Sequence, residues 1–338
     1  MKKKIMVLIL VISILLTSGC GNYVTDKKNK SITFEKTGQV IQNNILCKPT
    51  DKELSKLYEK YDDQLKVSIK KLPECQKFKL NSNKSNSLWE GIFVKPLAYI
   101  ILKLGYLVKN FGLSVMLIGL AIRLILMPFA RKTQKQSDNM KKAAPEIQRI
   151  ERKYADKTDT DSMMAKSQET MLVYKKYNIN PMSSCLMSFI QLPLFFAFLE
   201  AINRVPAIFE DSFLGLNLGM TPLVGLKQGK YLYIILIILI FLTTYFSFKK
   251  SMSQTGNADQ DKQMKHMLTF MLVFIVIASF NLSTAIALYW VVTNGFVVLQ
   301  NYIFKKLADR PDNRENKGKA KSKKKMTIKD KLNMKKGV

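Results

Sequence analysis

The sequence predicts an all-α integral membrane protein: a five-helix transmembrane bundle with a cytoplasmic helical hairpin and an outer interfacial helix. Three features point there. Apolar runs recur at lengths that suit a hydrocarbon core of ~30 Å. The 338 residues are 47% hydrophobic yet carry a formal net charge of +29, and the charge collects in the N-terminal segment, one long connection and the C-terminal tail, leaving the apolar runs nearly uncharged. One run, Phe111 to Ala130, holds Arg123 well inside it. A guanidinium at that depth costs ~2.5 to 3.5 kcal/mol on insertion scales, so such residues usually face protein or a watery cavity.

Residues 1–19 read as a signal peptide: Lys2 to Lys4, the apolar run Ile5 to Leu16, then Thr17-Ser18-Gly19 ahead of Cys20. The run is too short to span comfortably, and small residues before a cysteine resemble a bacterial lipobox, with Thr17 where leucine is usual. Cys20 is then the lipidated first residue of the mature chain. An uncleaved anchor with an incidental cysteine is the competing reading.

Residues 20–88 are polar and rich in lysine, and behind a signal peptide they belong outside the cell. Within them Asp51 to Leu72 puts Leu54, Leu57, Tyr58, Tyr61, Leu65 and Ile69 near one face of an amphipathic helix. Cys47 and Cys75 flank it and read equally as a disulfide or as two free thiols. Four cysteines without a CxxC pair make neither a disulfide scaffold nor a metal site.

Residues 89–110 mix Trp89, Phe93, Tyr99 and Tyr106 with Lys95, Lys103, Lys109 and Pro96. That mixture suits a helix lying among headgroups. The first span is 111–130. Residues 131–180 lack an apolar run, but Met140, Ala144, Ile147, Ile150 and Tyr154 recur at helical steps, as do Met164, Ala165, Gln168, Met171, Leu172 and Tyr174. A turn-like stretch from Ala155 to Thr160 joins them, giving a hairpin in which Pro145 either kinks the first arm or restarts it.

Four more spans follow at 181–202, 231–248, 264–281 and 284–304. The connections 131–180 and 249–263 and the tail 305–338 are basic, whereas the loop 203–230 carries few charges. By the positive-inside rule the basic segments are cytoplasmic, so the protein is a multi-pass cell-membrane protein with its N-terminus outside and its C-terminus inside.

With ~1.5 Å rise per helical residue, Arg123 sits ~10 Å from the inner end of its span. Gln191, Thr243, Thr244, Ser247, Thr269, Thr293 and Asn294 fall in the inner or middle parts of other spans. Glu200, the sole acidic side chain within the apolar runs, lies toward the outer face, so Arg123 is expected to have no carboxylate mate. A hydrated recess closed toward the outside accommodates this pattern. Serines and threonines that bond back to their own helix, and an arginine that snorkels to headgroups, are the bland alternatives.

Enzyme chemistry finds no support. The only histidine, His266, falls at a helix end, and there is no HExxH, GxSxG or intramembrane aspartate pair. No cofactor or metal is called for. A small-molecule transporter or channel with a polar intramembrane site is the serious rival, although the paired broken helices and internal repeat of such proteins are not evident.

The segments GLSVMLIGLAIRLILMP, APEIQRIERKY, YKKYNINPMSSCLMSFIQLPLFFAF and ALYWVVTNGFVVLQNYI together resemble the YidC family of membrane protein insertases, in its five-span Gram-positive lipoprotein form. The likeness runs from about Leu88 to Lys306. It departs from the family pattern at Met187, where proline is frequent, and at Asn281-Leu282-Ser283-Thr284, which replaces a proline-glycine turn.

By this resemblance Arg123 is the groove arginine, Gln191 and Trp290 are groove-lining positions, and the hairpin helps capture substrate. A substrate groove of Arg123, Gln191, Trp290, Tyr289, Asn294 and Thr244 follows, with Tyr289 and Trp290 on its outer wall. Nascent membrane proteins are the partners, taken up alone or beside the Sec translocase. Met163, Met164, Met171, Met182, Met264, Met267 and Met271 are either an adaptable client surface or ordinary filler. The basic tail suits phosphate, whether of the ribosome or of anionic lipid.

Overall fold

The computed structural model describes residues 23–82, 87–180, 193–251 and 258–308. Cys20 and the expected signal peptide, Gln191, Met182, Met187 and the tail beyond residue 308 lie outside them. Two compact units make up the chain, 1–298 and 299–338. The second begins within the last helix, and its described part ends with Lys305 and Lys306 in the final turn.

The N-terminal domain has its own small core. Strands β1 (Thr33–Phe34) and β2 (Gln39–Val40) pair antiparallel around Gly38, whose φ of 75° suits a residue without a side chain. Helix α1 (Lys52–Lys60) is capped by Asp51, whose carboxylate accepts from the amides of Glu53 and Leu54. It is shorter than the helix expected over 51–72. After Tyr61 the chain breaks into short 3-10 turns, because the Asp62 carboxylate takes the Ile69 amide at 2.7 Å and Gln64 exchanges two hydrogen bonds with the Thr25 backbone. The apolar residues of that stretch still share one core, with Leu54, Tyr58, Ile69 and Leu72 packed against Val24, Phe34, Ile41 and Ile45. Cys47 and Cys75 are joined by a disulfide.

A π-helical turn, Glu90–Val94, leads into α2 (Lys95–Val108). Lys109, with φ 54°, ends that helix, and α3 (Phe111–Lys153) follows at once under an Asn110 cap. Helix α2 packs back on α3: the Ser114 hydroxyl donates to the Ile101 carbonyl at 2.7 Å, and the Phe111 ring fills the space a side chain at Gly105 would need. Lys95, expected among headgroups, is instead 1% exposed.

Helix α3 does not stop at residue 130. It runs on through Pro128 and Pro145 to become the first arm of the hairpin, and α4 (Thr160–Lys176) returns along it. The arms enclose Ala143, Ile147, Ile150, Tyr154, Val173 and Ile179. The pairs Lys166–Glu151 and Lys176–Glu146, each at 2.6 Å, and Lys153–Glu169 at 2.5 Å close the seam. Those ties turn the row Ala165-Glu169-Val173-Tyr177 inward, which leaves Met163, Met164, Met171 and Leu172 exposed.

The apolar helix α5 (Pro193–Asn203) precedes a stretch that is more than a loop. It contains α6 (Pro206–Phe209), the two-residue strands β3 (Ser212–Phe213) and β4 (Leu216–Asn217), and α7 (Pro222–Lys227). The last three helices are α8 (Leu232–Ser251), α9 (Ala258–Ser279) and α10 (Thr284–Ala308). Among the described residues five helical segments are long and apolar enough to cross a membrane: Glu90–Val108, Phe111–Lys153, Leu232–Lys249, Asp261–Ser279 and Thr284–Lys306. The molecule is therefore a mostly helical, multi-pass bundle with extra helices, and two small antiparallel pairs are its only strands among the described residues.

Candidate functional site

The 203–230 segment ties the bundle together at one end. The Phe111 amide donates to Asp211 at 2.7 Å and Asn110 to the Ser212 carbonyl at 3.0 Å, fixing the start of α3. Thr284 and Ala285 amides donate to the Met220 and Leu218 carbonyls, fixing the start of α10. Helices α3 and α10 thus leave a common anchor side by side. Their approach is close at Gly119, where an added Cβ would meet both Thr293 Cγ2 and Tyr289 Cδ2 at 3.0 Å.

Arg123 is one helical turn beyond Gly119 on the same face of α3, and only part of it reaches the surface. The Tyr289 ring packs against the same face of α3 at Gly119. Glu200 is engaged elsewhere, accepting from the Trp89 indole at 2.8 Å and pairing with Arg204.

Helix α10 presents two adjacent stripes. Tyr289 and Thr293, four residues apart, face α3, while Trp290 turns to α8 and donates to the Thr244 hydroxyl at 2.8 Å. Asn294 follows Trp290 at the same spacing, 9% exposed, and its amide donates to the Trp290 carbonyl at 3.0 Å. From α5, the Phe198 ring stacks on Tyr289 with centroids 4.0 Å apart and Phe195 meets Trp290 edge-on at 5.2 Å. Phe195 and Phe198 are three residues apart, so one face of α5 grips both aromatic residues of α10.

Of the expected site residues, Arg123, Tyr289, Trp290, Asn294 and Thr244 therefore fall on three neighbouring helices, with Gln191 beyond the described residues. Several other polar groups of the spans do what isolated serines and threonines do. Thr243, Ser279 and Thr293 bond to carbonyls three or four residues back in their own helices, and Thr269 is exposed. A cavity of about 370 Å³ lies elsewhere, between the N-terminal domain and the 203–230 segment, lined in part by Phe34, Gln39, Phe209 and Lys230. Among the described residues no group of His, Cys, Asp or Glu is placed to hold a metal ion.

Residues 103–311, well over half of the chain, match the model of the family described as 60Kd inner membrane protein. The chain belongs to that family, which is the family of YidC. Its curated relatives are named as membrane protein insertases. It is 36% identical to MisCA of Bacillus subtilis over 183 residues, 54% of this chain and 66% of the relative. To YidC of Oceanobacillus iheyensis it is 33% identical over 223 residues, 66% of this chain and 85% of that one. YidC 2 of Bacillus anthracis gives 34% over 223 residues, 66% and 83%. The matched region of this YidC-family chain holds Arg123, Thr244, Tyr289, Trp290 and Asn294, whereas the N-terminal domain precedes it.

Sequence reasoning passed over a cluster at the anchored end, formed by Glu90, Lys95, Glu200 and Arg204. One signal was available: Glu200 and Arg204 stand four apart at the end of an apolar run, the spacing of a helical ion pair.

Proposed function

We propose that this protein is a membrane protein insertase of the cell membrane, in which nascent transmembrane segments pass through a hydrated recess beside Arg123. The observation that carries the reading is the position of Arg123 inside an apolar helix, one turn from the tight contact that Gly119 makes with the Tyr289 face of α10. In this reading the basic hairpin and tail are cytoplasmic, the N-terminal domain is outside, and the mature chain begins at a lipidated Cys20.

The barrier to insertion is the desolvation of a polar flank as it crosses hydrocarbon. Water held partway through the bilayer shortens the dry path, and a fixed guanidinium in low dielectric attracts an acidic flank. Once the flank is released outside, partition of the client's apolar span into lipid drives the step without fuel. Gln191 and Asn294 hydrate the recess, while Tyr289 and Trp290, gripped by Phe198 and Phe195, hold its wall rigid. The exposed Met163, Met164 and Met171 offer clients an adaptable surface on the hairpin. The basic tail binds phosphate of the ribosome or of anionic lipid, and clients arrive directly or from the Sec translocase.

The test is depletion of the protein in cells, followed by scoring insertion of small, acidic-flanked membrane proteins and uptake of solutes in parallel. Loss of insertion with uptake intact is the expected result. The reverse pattern identifies a transporter and removes the proposal.

A further inference from the structure

Three charged side chains are buried beside a fourth, largely covered one where the N-terminal domain meets the bundle. Glu90 is 4% exposed, Lys95 1% and Arg204 4%, and the Glu200 side chain is 13% exposed. Arg204 stands between the two carboxylates, 3.4 Å from Glu90 and paired with Glu200 one turn earlier. Lys95 approaches Glu90 at 3.7 Å, so the group is electrically neutral. The N-terminal domain holds the same arginine from the other side. The Asn44 side-chain oxygen, in the amide orientation that satisfies both residues, accepts from the Arg204 guanidinium at 2.6 and 3.0 Å, and the Leu46 amide donates to the Arg204 carbonyl at 2.9 Å.

Buried ion pairs seldom stabilise a fold more than apolar packing would, and their best-attested use is to fix one arrangement among several. Here the arrangement fixed is that of α5, which carries Arg204 just past its end and grips Tyr289 and Trp290 through Phe198 and Phe195. Asn44, Leu46, Glu90 and Lys95 all precede residue 103, where the family match begins.

We propose that Arg204 is a positioning residue, the bolt by which the N-terminal domain is clamped over α2 and α5 so that the recess around Arg123 stays closed to the outside. The inference rests on the recess reading above and supplies the device that seals it.

The reporter is a cysteine at Met127, one turn from Arg123 on the same face of α3 and partly exposed, in a full-length chain carrying Cys185→Ser. A membrane-impermeant maleimide is added to either side of sealed vesicles. The Met127→Cys chain is expected to react from the cytoplasmic side and not from the outer side. Adding Arg204→Met should raise outer labelling about tenfold or more, since a broken buried network leaves charges without partners. Asn44→Leu cuts only the side-chain tie from the domain and should raise it less, together with the rate of tryptic cleavage within residues 23–82. Arg204→Lys, which keeps the charge but not the fork, should fall between. Unchanged outer labelling in Asn44→Leu and Arg204→Met, both present at normal levels, overturns the clamp. If Arg204→Met does not accumulate, Asn44→Leu decides alone. Absence of cytoplasmic labelling in the Met127→Cys chain removes the recess itself, a separate failure.

Discussion

The Trp290 indole donates a hydrogen bond to the Thr244 hydroxyl at 2.8 Å, joining α10 to α8 through a side chain with no exposed surface. Thr244→Val keeps the volume and removes the acceptor, leaving a part-buried N–H without a partner. A loss of about 1 kcal/mol is expected. It should appear as a melting temperature a few degrees lower in nanodiscs, with Thr244→Ser close to the parent protein. Equal melting of all three would show that the bond contributes nothing.

Gly119 sets the distance between α3 and α10. A methyl group there meets Thr293 and Tyr289 at 3.0 Å, a contact their side chains can relieve only by shifting a few tenths of an ångström. Gly119→Ala should be tolerated with a small loss, and Gly119→Leu should cost roughly 1–3 kcal/mol by overpacking and displace Arg123. The readout is client insertion at matched protein levels: retained in the first variant, strongly reduced in the second.

The Cys47–Cys75 bridge closes a loop with a sequence separation of 28, and both cysteines belong to the core shared with α2. Replacing both with serine should cost about 2–4 kcal/mol of local stability. Protease digestion of intact cells should then release fragments of residues 23–82 far faster, while the hairpin remains protected.

Asp62 supplies a pH dependence to the same domain. The Ile69 amide and the Ser68 side chain hold its carboxyl below the usual carboxylate range. A depressed folded-state value means the stabilisation is complete above the ordinary aspartate pKa and is lost as pH falls through the lower, folded value. The protection of the Ile69 amide against exchange, relative to its unfolded rate at the same pH, should therefore stay flat from neutral pH down to about 5 and fall under strongly acid conditions. Asp62→Asn should abolish the acid-dependent step.

The helices were legible because apolar runs announce themselves by length and composition, as at Phe111, Leu232 and Thr284. The hairpin was legible because Ile147, Ile150 and Tyr154 recur at helical spacing. The helical rotation of its second arm was not. Met164, Met171 and Leu172 looked like its seam, but Glu169 bonded to Lys153 and Tyr154 turns Val173 inward instead. Similarly, periodicity extended α1 to Leu72, since the side chains that end it near Tyr61 bond outside the helix, Asp62 to the Ile69 amide and Gln64 to the distant Thr25 backbone. The Arg204 cluster was hardest to see. Its members are scattered from Asn44 to Arg204, and only the fold brings them into one place.

Arg123 offers the most direct measurement. A matched pair of clients, identical in their apolar span but with either an acidic or a neutral translocated flank, is expressed in cells whose only insertase of this type is the parent chain or Arg123→Ala. The acidic-flanked client should lose insertion by about tenfold or more, equivalent to ~1.4 kcal/mol, while the neutral one changes little. Equal insertion of both clients by Arg123→Ala, at normal protein levels, would contradict an electrostatic receptor at this position.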